Sequence, residues 1–141
     1  MEPIDVEAIP LGALLLMDTA PIIYVLERHP EFAQRFEPLF ESHAAGKLAF
    51  AVTTVTIAEV LTGPRNGADG ALFQEYRLLL ESWRVVPLDI EIAAEAALLR
   101  SRYGLKLPDA VQAASARVIN AHALVTNDRV FARLRSLRVI G

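Results

Sequence analysis

Four acidic residues stand where this sequence could do chemistry: Asp18, Glu59, Asp109 and Asp128. Asp18 ends the apolar run of residues 11–17, and Asp128 follows Leu124-Val125-Thr126-Asn127. An acid at the end of a buried strand stands where parallel α/β sheets bind their ligands, beyond the strand carboxyl ends. Asp109 opens a helix, where the exposed amides and helix dipole favour negative charge. Glu59 lies within Val55-Thr56-Ile57-Ala58-Glu59-Val60-Leu61, among apolar and hydroxyl neighbours. There it is either a buried carboxylate in need of a partner or the exposed position of a short helix. The three aspartates also have ordinary readings as a strand end, a first-turn acid and a turn residue. Brought together, four carboxylates repel one another unless a cation stands among them. A hard divalent ion resolves that repulsion and leaves a site for phosphate oxygens. The spacing alone does not show that they meet.

The remaining composition narrows the ion. The chain has no cysteine, and His29, His43 and His122 are too far apart in sequence to pair on one helix. Oxygen is then the only available ligand, which points to Mg2+ or Mn2+ rather than zinc. Asp89 shares the strand-end placement of Asp18, but capping the next helix accounts for it. Two phosphotransferase designs with strand-end acids fit less well. One needs a second aspartate two residues after Asp18, where Ala20 stands. The other needs a late strand-end lysine, and the only lysines are Lys47 and Lys106.

The chain has 141 residues, 53% of them hydrophobic, enough for one domain to bury a core without staples. The absence of cysteine suits a reducing cytoplasm. Glu2, Asp5 and Glu7 occupy the place where a secretion signal carries positive charge, and no uncharged stretch is long enough to span a bilayer. A cytoplasmic protein with no membrane association is expected. The net charge of −3 conceals a gradient: up to residue 99 there are 6 basic and 15 acidic residues, and from Arg100 onward 8 basic and 2 acidic. A basic C-terminal third suits a polyanion, and 12 of the 14 basic residues are arginine, the side chain that grips phosphate with two parallel bonds. Compositional drift gives the same pattern.

The positioning elements follow from periodicity and punctuation. Residues 11–17, 48–53, 84–88, 123–126 and 137–140 read as strands. Helices are expected over 20–28 with Thr19 as cap, 31–45 closed by Gly46, 55–62 capped by Thr54 and stopped by Gly63-Pro64, 71–83, 90–103 between Asp89 and Gly104, and 108–121. Residues 63–70, with three glycines and a proline, read as a loop, and 128–134 as a short helical turn. Strands alternating with helices give an α/β fold with a parallel sheet covered on both faces. A single domain spanning 1–141 is expected, with residues 1–10 as a loosely held N-terminal extension.

Four segments together resemble the PIN-domain family, and especially the VapC-type toxins of prokaryotic toxin–antitoxin pairs. They are Met17-Asp18-Thr19-Ala20; Thr56-Ile57-Ala58-Glu59-Val60; Leu107-Pro108-Asp109-Ala110 followed by Gln112-Ala113-Ala114-Ser115-Ala116; and Leu124-Val125-Thr126-Asn127-Asp128-Arg129 with Phe131. Each is short; their order and spacing carry the resemblance. It implies a three-layer α/β/α fold with about five parallel strands, and acids meeting at the carboxyl edge between the first and fourth. It further implies a Mg2+- or Mn2+-dependent endoribonuclease that dimerises and is inhibited by a cognate antitoxin. By position, Asp18 and Asp109 would be the principal metal ligands, with Glu59 and Asp128 completing the site directly or through water. Thr19, Thr126 and Asn127 would orient a ligand or water, unless the two threonines serve only as a cap and a strand-end hydroxyl.

The expected reaction is phosphodiester hydrolysis assisted by one or two cations, with no histidine or cysteine nucleophile. Arg65, Arg129, Arg133 and Arg135 are candidates for holding the RNA backbone. Tyr24 and Trp83 could stack on a base, although core packing suits both. The alternatives are a non-catalytic PIN-fold interaction module and a housekeeping RNA-processing nuclease.

Overall fold

The computed structural model describes residues 2–65 and 70–141. Five strands, β1 (Leu14–Met17), β2 (Ala49–Thr53), β3 (Arg84–Val86), β4 (Ala123–Val125) and β5 (Val139–Ile140), form one sheet in the order β3-β2-β1-β4-β5. Every pairing is parallel. The helices are α1 (Thr19–Leu26), α2 (Ala33–Ala44), α3 (Thr54–Arg65), α4 (Gly70–Glu81), α5 (Ile90–Tyr103) and α6 (Leu107–Val118). This is the three-layer α/β/α arrangement with five parallel strands expected above. Strand order reverses between β1 and β4, which opens a crevice at their carboxyl ends.

Alternation along β1 builds both layers at once. Leu16 points to one face with Ala51 and Leu124, where α5 and α6 supply Ile92, Ala96, Leu99, Val111 and Ala114. Leu15 and Met17 point to the other, with Phe50, Val52 and Val125, against Ile22, Phe36, Leu39 and Leu80. Successive strand side chains face opposite ways, so a strand covered on both sides must be apolar throughout. The sheet-facing side of α6 is rich in alanine, which lets that helix lie close to the strands.

Several boundaries differ from the sequence expectation, each for a local reason. β1 begins at Leu14 and not at residue 11, because Gly12 takes a positive φ of 80° and leaves Leu11 83% exposed. Asp18, not Thr19, caps α1, its carboxylate accepting from the Thr19 N–H at 2.9 Å. Likewise the Thr53 hydroxyl, not that of Thr54, accepts from the Thr56 N–H at the start of α3. α3 runs through Gly63-Pro64 to Arg65. A proline in the last turn forfeits one ladder bond, and the glycine before it has no Cβ to crowd the ring. Of the expected loop, residues 66–69 lie outside the described residues.

The segment before β1 is held down by several contacts. Its Ile4, Val6 and Ile9 pack on the Phe36 side of the core, and the Ile4 N–H donates to the Arg35 carbonyl. The Arg35 guanidinium in turn donates to the carbonyls of Glu2 (2.7 Å) and Gly141 (2.6 Å). Polar residues spaced between three apolar anchors obscured this docking in the sequence. Among the described residues no helix is long and apolar enough to cross a membrane.

Candidate active site

The four acids come from four elements that end or begin at the carboxyl edge. Asp18 follows β1 and is tied to β4 by its N–H, which donates to the Val125 carbonyl at 2.9 Å. Its carboxylate is gripped by three donors. Oδ1 accepts from the Thr19 N–H at 2.9 Å and from Gln112 Nε2 at 3.0 Å, while Oδ2 accepts from Thr126 Oγ1 at 2.7 Å. Thr126 is buried, and its hydroxyl oxygen accepts from the Asp128 N–H at 3.0 Å, so one side chain sets both Asp18 and the backbone of Asp128.

Asp128 caps the short 3-10 turn Arg129–Arg133, its Oδ1 accepting from the Val130 N–H. Glu59 is exposed on α3, so the buried alternative does not hold for it. Its Oε1 accepts from the Thr19 hydroxyl at 2.8 Å, which turns it toward Asp18. Asp109 stands half-buried in the first turn of α6, whose N-cap, Lys106, offers no side-chain bond. Burial raises its pKa most, and the carboxylates of Asp128, Asp18 and Glu59 push it further up against the opposing effect of Lys106. Asp109 thus feels all three of the other acids. Among the described residues, neither ion pair includes any of the four.

The donor set is carboxylate and hydroxyl oxygen, and its charge is unbalanced. That chemistry fits a hard divalent cation. Among the described residues, no three acidic or histidine side chains stand as a ready-made ligand group. Magnesium sites are commonly open in this way, using one or two carboxylates with water and substrate phosphate making up the rest.

Thr19 caps nothing with its side chain; its hydroxyl links Glu59 to Thr56, 3.0 Å away. Asn127 does not reach the acids but donates through Nδ2 to the Tyr24 hydroxyl at 3.0 Å. Tyr24 stacks on Phe32, with ring centroids 4.8 Å apart. Trp83 is buried against Phe40, Phe50 and His43, so it packs the core. Arg129 and Arg135 are exposed and without a polar partner among the described residues. Arg133 donates to the Tyr103 carbonyl, and the Arg65 side chain lies outside the described residues. A cleft of about 580 Å³, lined by Phe32, Arg35, Thr126, Asn127, Asp128 and Arg129 among others, reaches the site at Asp128, the one of the four acids that borders it.

Three further residues belong to the site and do not stand out along the sequence: Gln112, Thr53 and Thr56, all buried. Gln112 follows Asp109 by three positions, a spacing that puts both on one helix face. A glutamine among the small residues of 110–116 was the available signal.

Residues 15–137 match the family described as PIN domain. The fold is similar to a chain of a toxin–antitoxin complex from Klebsiella pneumoniae, with 25% identity, a TM-score of 0.72, and 90% of this chain and 96% of that one covered. It is also similar to a chain of VapBC2 from Rickettsia felis bound to a DNA fragment from its promoter (19% identity, TM-score 0.71, 90% and 97% covered). FitAcB from Neisseria gonorrhoeae gives 22% identity, a TM-score of 0.69, and coverage of 90% and 96%. No curated protein sequence matches the chain significantly. The family match covers most of the chain, and the chain belongs to the PIN domain family.

Proposed function

We propose that this protein is a Mg2+- or Mn2+-dependent endoribonuclease, the toxin of a type II toxin–antitoxin pair, acting at Asp18, Glu59, Asp109 and Asp128. The observation that carries the reading is electrostatic. At the strand-order reversal the pKa of Asp109 is raised by burial first and then by the carboxylates of Asp128, Asp18 and Glu59, with Lys106 opposing them only in part. Neither ion pair among the described residues includes any of the four. Asp18 and Asp109 are the principal ligands in this reading, with Glu59 and Asp128 completing the set. When bound, the ion supplies Lewis-acid stabilisation of phosphoryl oxygens and makes water a stronger nucleophile.

The chain's own residues do the rest. Asp18 is held in one orientation by Thr19, Gln112 and Thr126, so its free lone pair is presented without reorganisation. The unpaired Arg129, which lines the adjoining cleft, attracts the RNA backbone. Arg133, Arg65 and Arg135 are further candidates, Arg135 standing beside Leu14 and His122 at the opposite, amino edge of the sheet. The partner reading draws on the neighbours described as toxin–antitoxin complexes: a cognate antitoxin that blocks the acids, and a toxin that dimerises in the cytoplasm.

The deciding experiment incubates purified protein with single-stranded RNA and Mn2+, with and without chelator. Cleavage is expected only with the ion, and Asp18→Asn is expected to lower it at least about 100-fold, the loss of several kcal/mol of charge stabilisation. Asn keeps the side-chain shape, so thermal unfolding of the metal-free protein should hardly move. Full activity in Asp18→Asn or in chelator rejects the reading.

A further inference from the structure

Gln112 is 3% exposed, and a buried primary amide must find places for two donors and an acceptor. All three are placed. Nε2 donates to Asp18 Oδ1 at 3.0 Å and to Thr56 Oγ1 at 2.9 Å, and Oε1 accepts from Thr53 Oγ1 at 2.7 Å. The orientation of the amide follows from its surroundings. Turned over, its carbonyl oxygen would face the Asp18 carboxylate, and the Thr53 hydroxyl proton would lose its acceptor. The Thr53 oxygen also accepts from the Thr56 N–H at 3.0 Å, and among the described residues Gln112 Oε1 is the acceptor its proton finds.

The chain of bonds continues past Gln112. The Thr19 hydroxyl proton goes to Glu59 Oε1 at 2.8 Å, so the 3.0 Å contact between Thr56 and Thr19 must use the proton of Thr56. One directed series therefore runs from Thr53 through Gln112, Thr56 and Thr19 to Glu59, with a branch to Asp18. At Asp18 the count is decisive. Two donors fill both lone pairs of Oδ1, and Thr126 takes one of the pair on Oδ2, leaving a single position on Oδ2 open.

We propose that Gln112 is a positioning residue of the acid site. It closes Asp18 Oδ1 so that Oδ2 is the oxygen left for a ligand, and it keeps Glu59 in step through Thr56 and Thr19. Its bearing on catalysis rests on the nuclease reading; its bearing on Asp18 does not.

The test compares Gln112→Met, which keeps the length and removes the amide, with Thr53→Val and Thr53→Ser, which alter no acid. Manganese affinity, followed by the paramagnetic signal of the free ion, should fall about 10- to 100-fold in Gln112→Met, the range for residues that orient metal ligands. Thr53→Val should show a smaller fall and Thr53→Ser should recover it. With RNA, kcat should drop while KM stays near the parent value, since the RNA-binding arginines are untouched. Crystal structures of the metal-free variants give a readout without metal or turnover: in Gln112→Met and Thr53→Val the Asp18 carboxylate should be rotated or spread over two rotamers. An unchanged manganese affinity, or an unmoved Asp18, in folded Gln112→Met overturns the proposal; Thr53→Val decides in the same way if Gln112→Met does not fold. Should the parent neither bind manganese nor cut RNA, the nuclease reading falls, and the orientation of Asp18 alone decides the role of Gln112.

Discussion

On the two faces of the sheet the interior is built from apolar side chains such as Leu15, Leu16, Phe36 and Phe131. At its carboxyl edge the rule is reversed. Of the five buried polar side chains among the described residues, Thr53, Thr56, Gln112 and Thr126 all belong to the bonds around Asp18; only Ser115 lies apart from them. A satisfied polar network contributes little to stability that an apolar core of equal volume would not supply. Its concentration in one place is explained by what it orients. The faces hold the fold together, and the edge holds carboxylates in position at some cost in stability.

That contrast can be broken from either side. The largest effect belongs to the faces. Phe36→Ala should remove about 3–5 kcal/mol of stability, the usual cost of a buried aromatic with its cavity, read as a lower urea midpoint. Manganese affinity of the folded fraction should not change. A parallel loss of affinity would show that face and edge are not separate.

The next effect has the opposite sign. Asp109 has a folded-state pKa raised above its unfolded value, so the folded state holds its proton more tightly than the unfolded state does. The stability this contributes is present below the ordinary carboxylate pKa and is lost as pH rises through the raised value. Metal-free protein should therefore become less stable across that acidic window, and Asp109→Asn should flatten this part of the profile. At neutral pH the variant should melt higher than the parent without metal and gain less from added manganese. A lower melting temperature would mean that the acids do not repel as their placement requires.

The smallest effect sharpens the boundary between the edge and its surroundings. Arg129→Ala should lower the slope of log affinity against log salt for single-stranded RNA by about 0.7, and Arg135→Ala, at the opposite edge of the sheet, should lower it less. Manganese affinity should stay at the parent value. Unchanged slopes would remove these arginines from the path of the RNA.

Much of this was legible in the sequence because it depends on local order. Apolar runs for strands, Asp89 and Gly104 bracketing α5, and a proline opening α6 are signals within a few residues. The placement of Asp18, Asp109 and Asp128 was legible for a related reason: strand ends and helix starts bring polar residues to the same edge in any parallel sheet. Glu59 was singled out only as a carboxylate among apolar and hydroxyl neighbours, and the family resemblance grouped it with them. What failed was also local, and small. At residues 18–19 and 53–54 two neighbouring polar side chains could each serve as a cap, and only the path of the backbone selects one.

The docking of residues 2–10 and the role of Gln112 were of another kind. Both depend on partners far away in the chain, Arg35 and Gly141 for the first, Asp18 and Thr53 for the second. The sequence by itself determined the layers and the parallel strands, because periodicity and chain punctuation act over a few residues; the grouping of the four acids came from the family resemblance and not from their spacing. Tertiary structure alone decided which oxygen of Asp18 stays open and which buried amide closes the other. Those choices belong to hydrogen bonds that span 94 and 108 positions of the chain, and a pattern read along it carries no trace of their geometry.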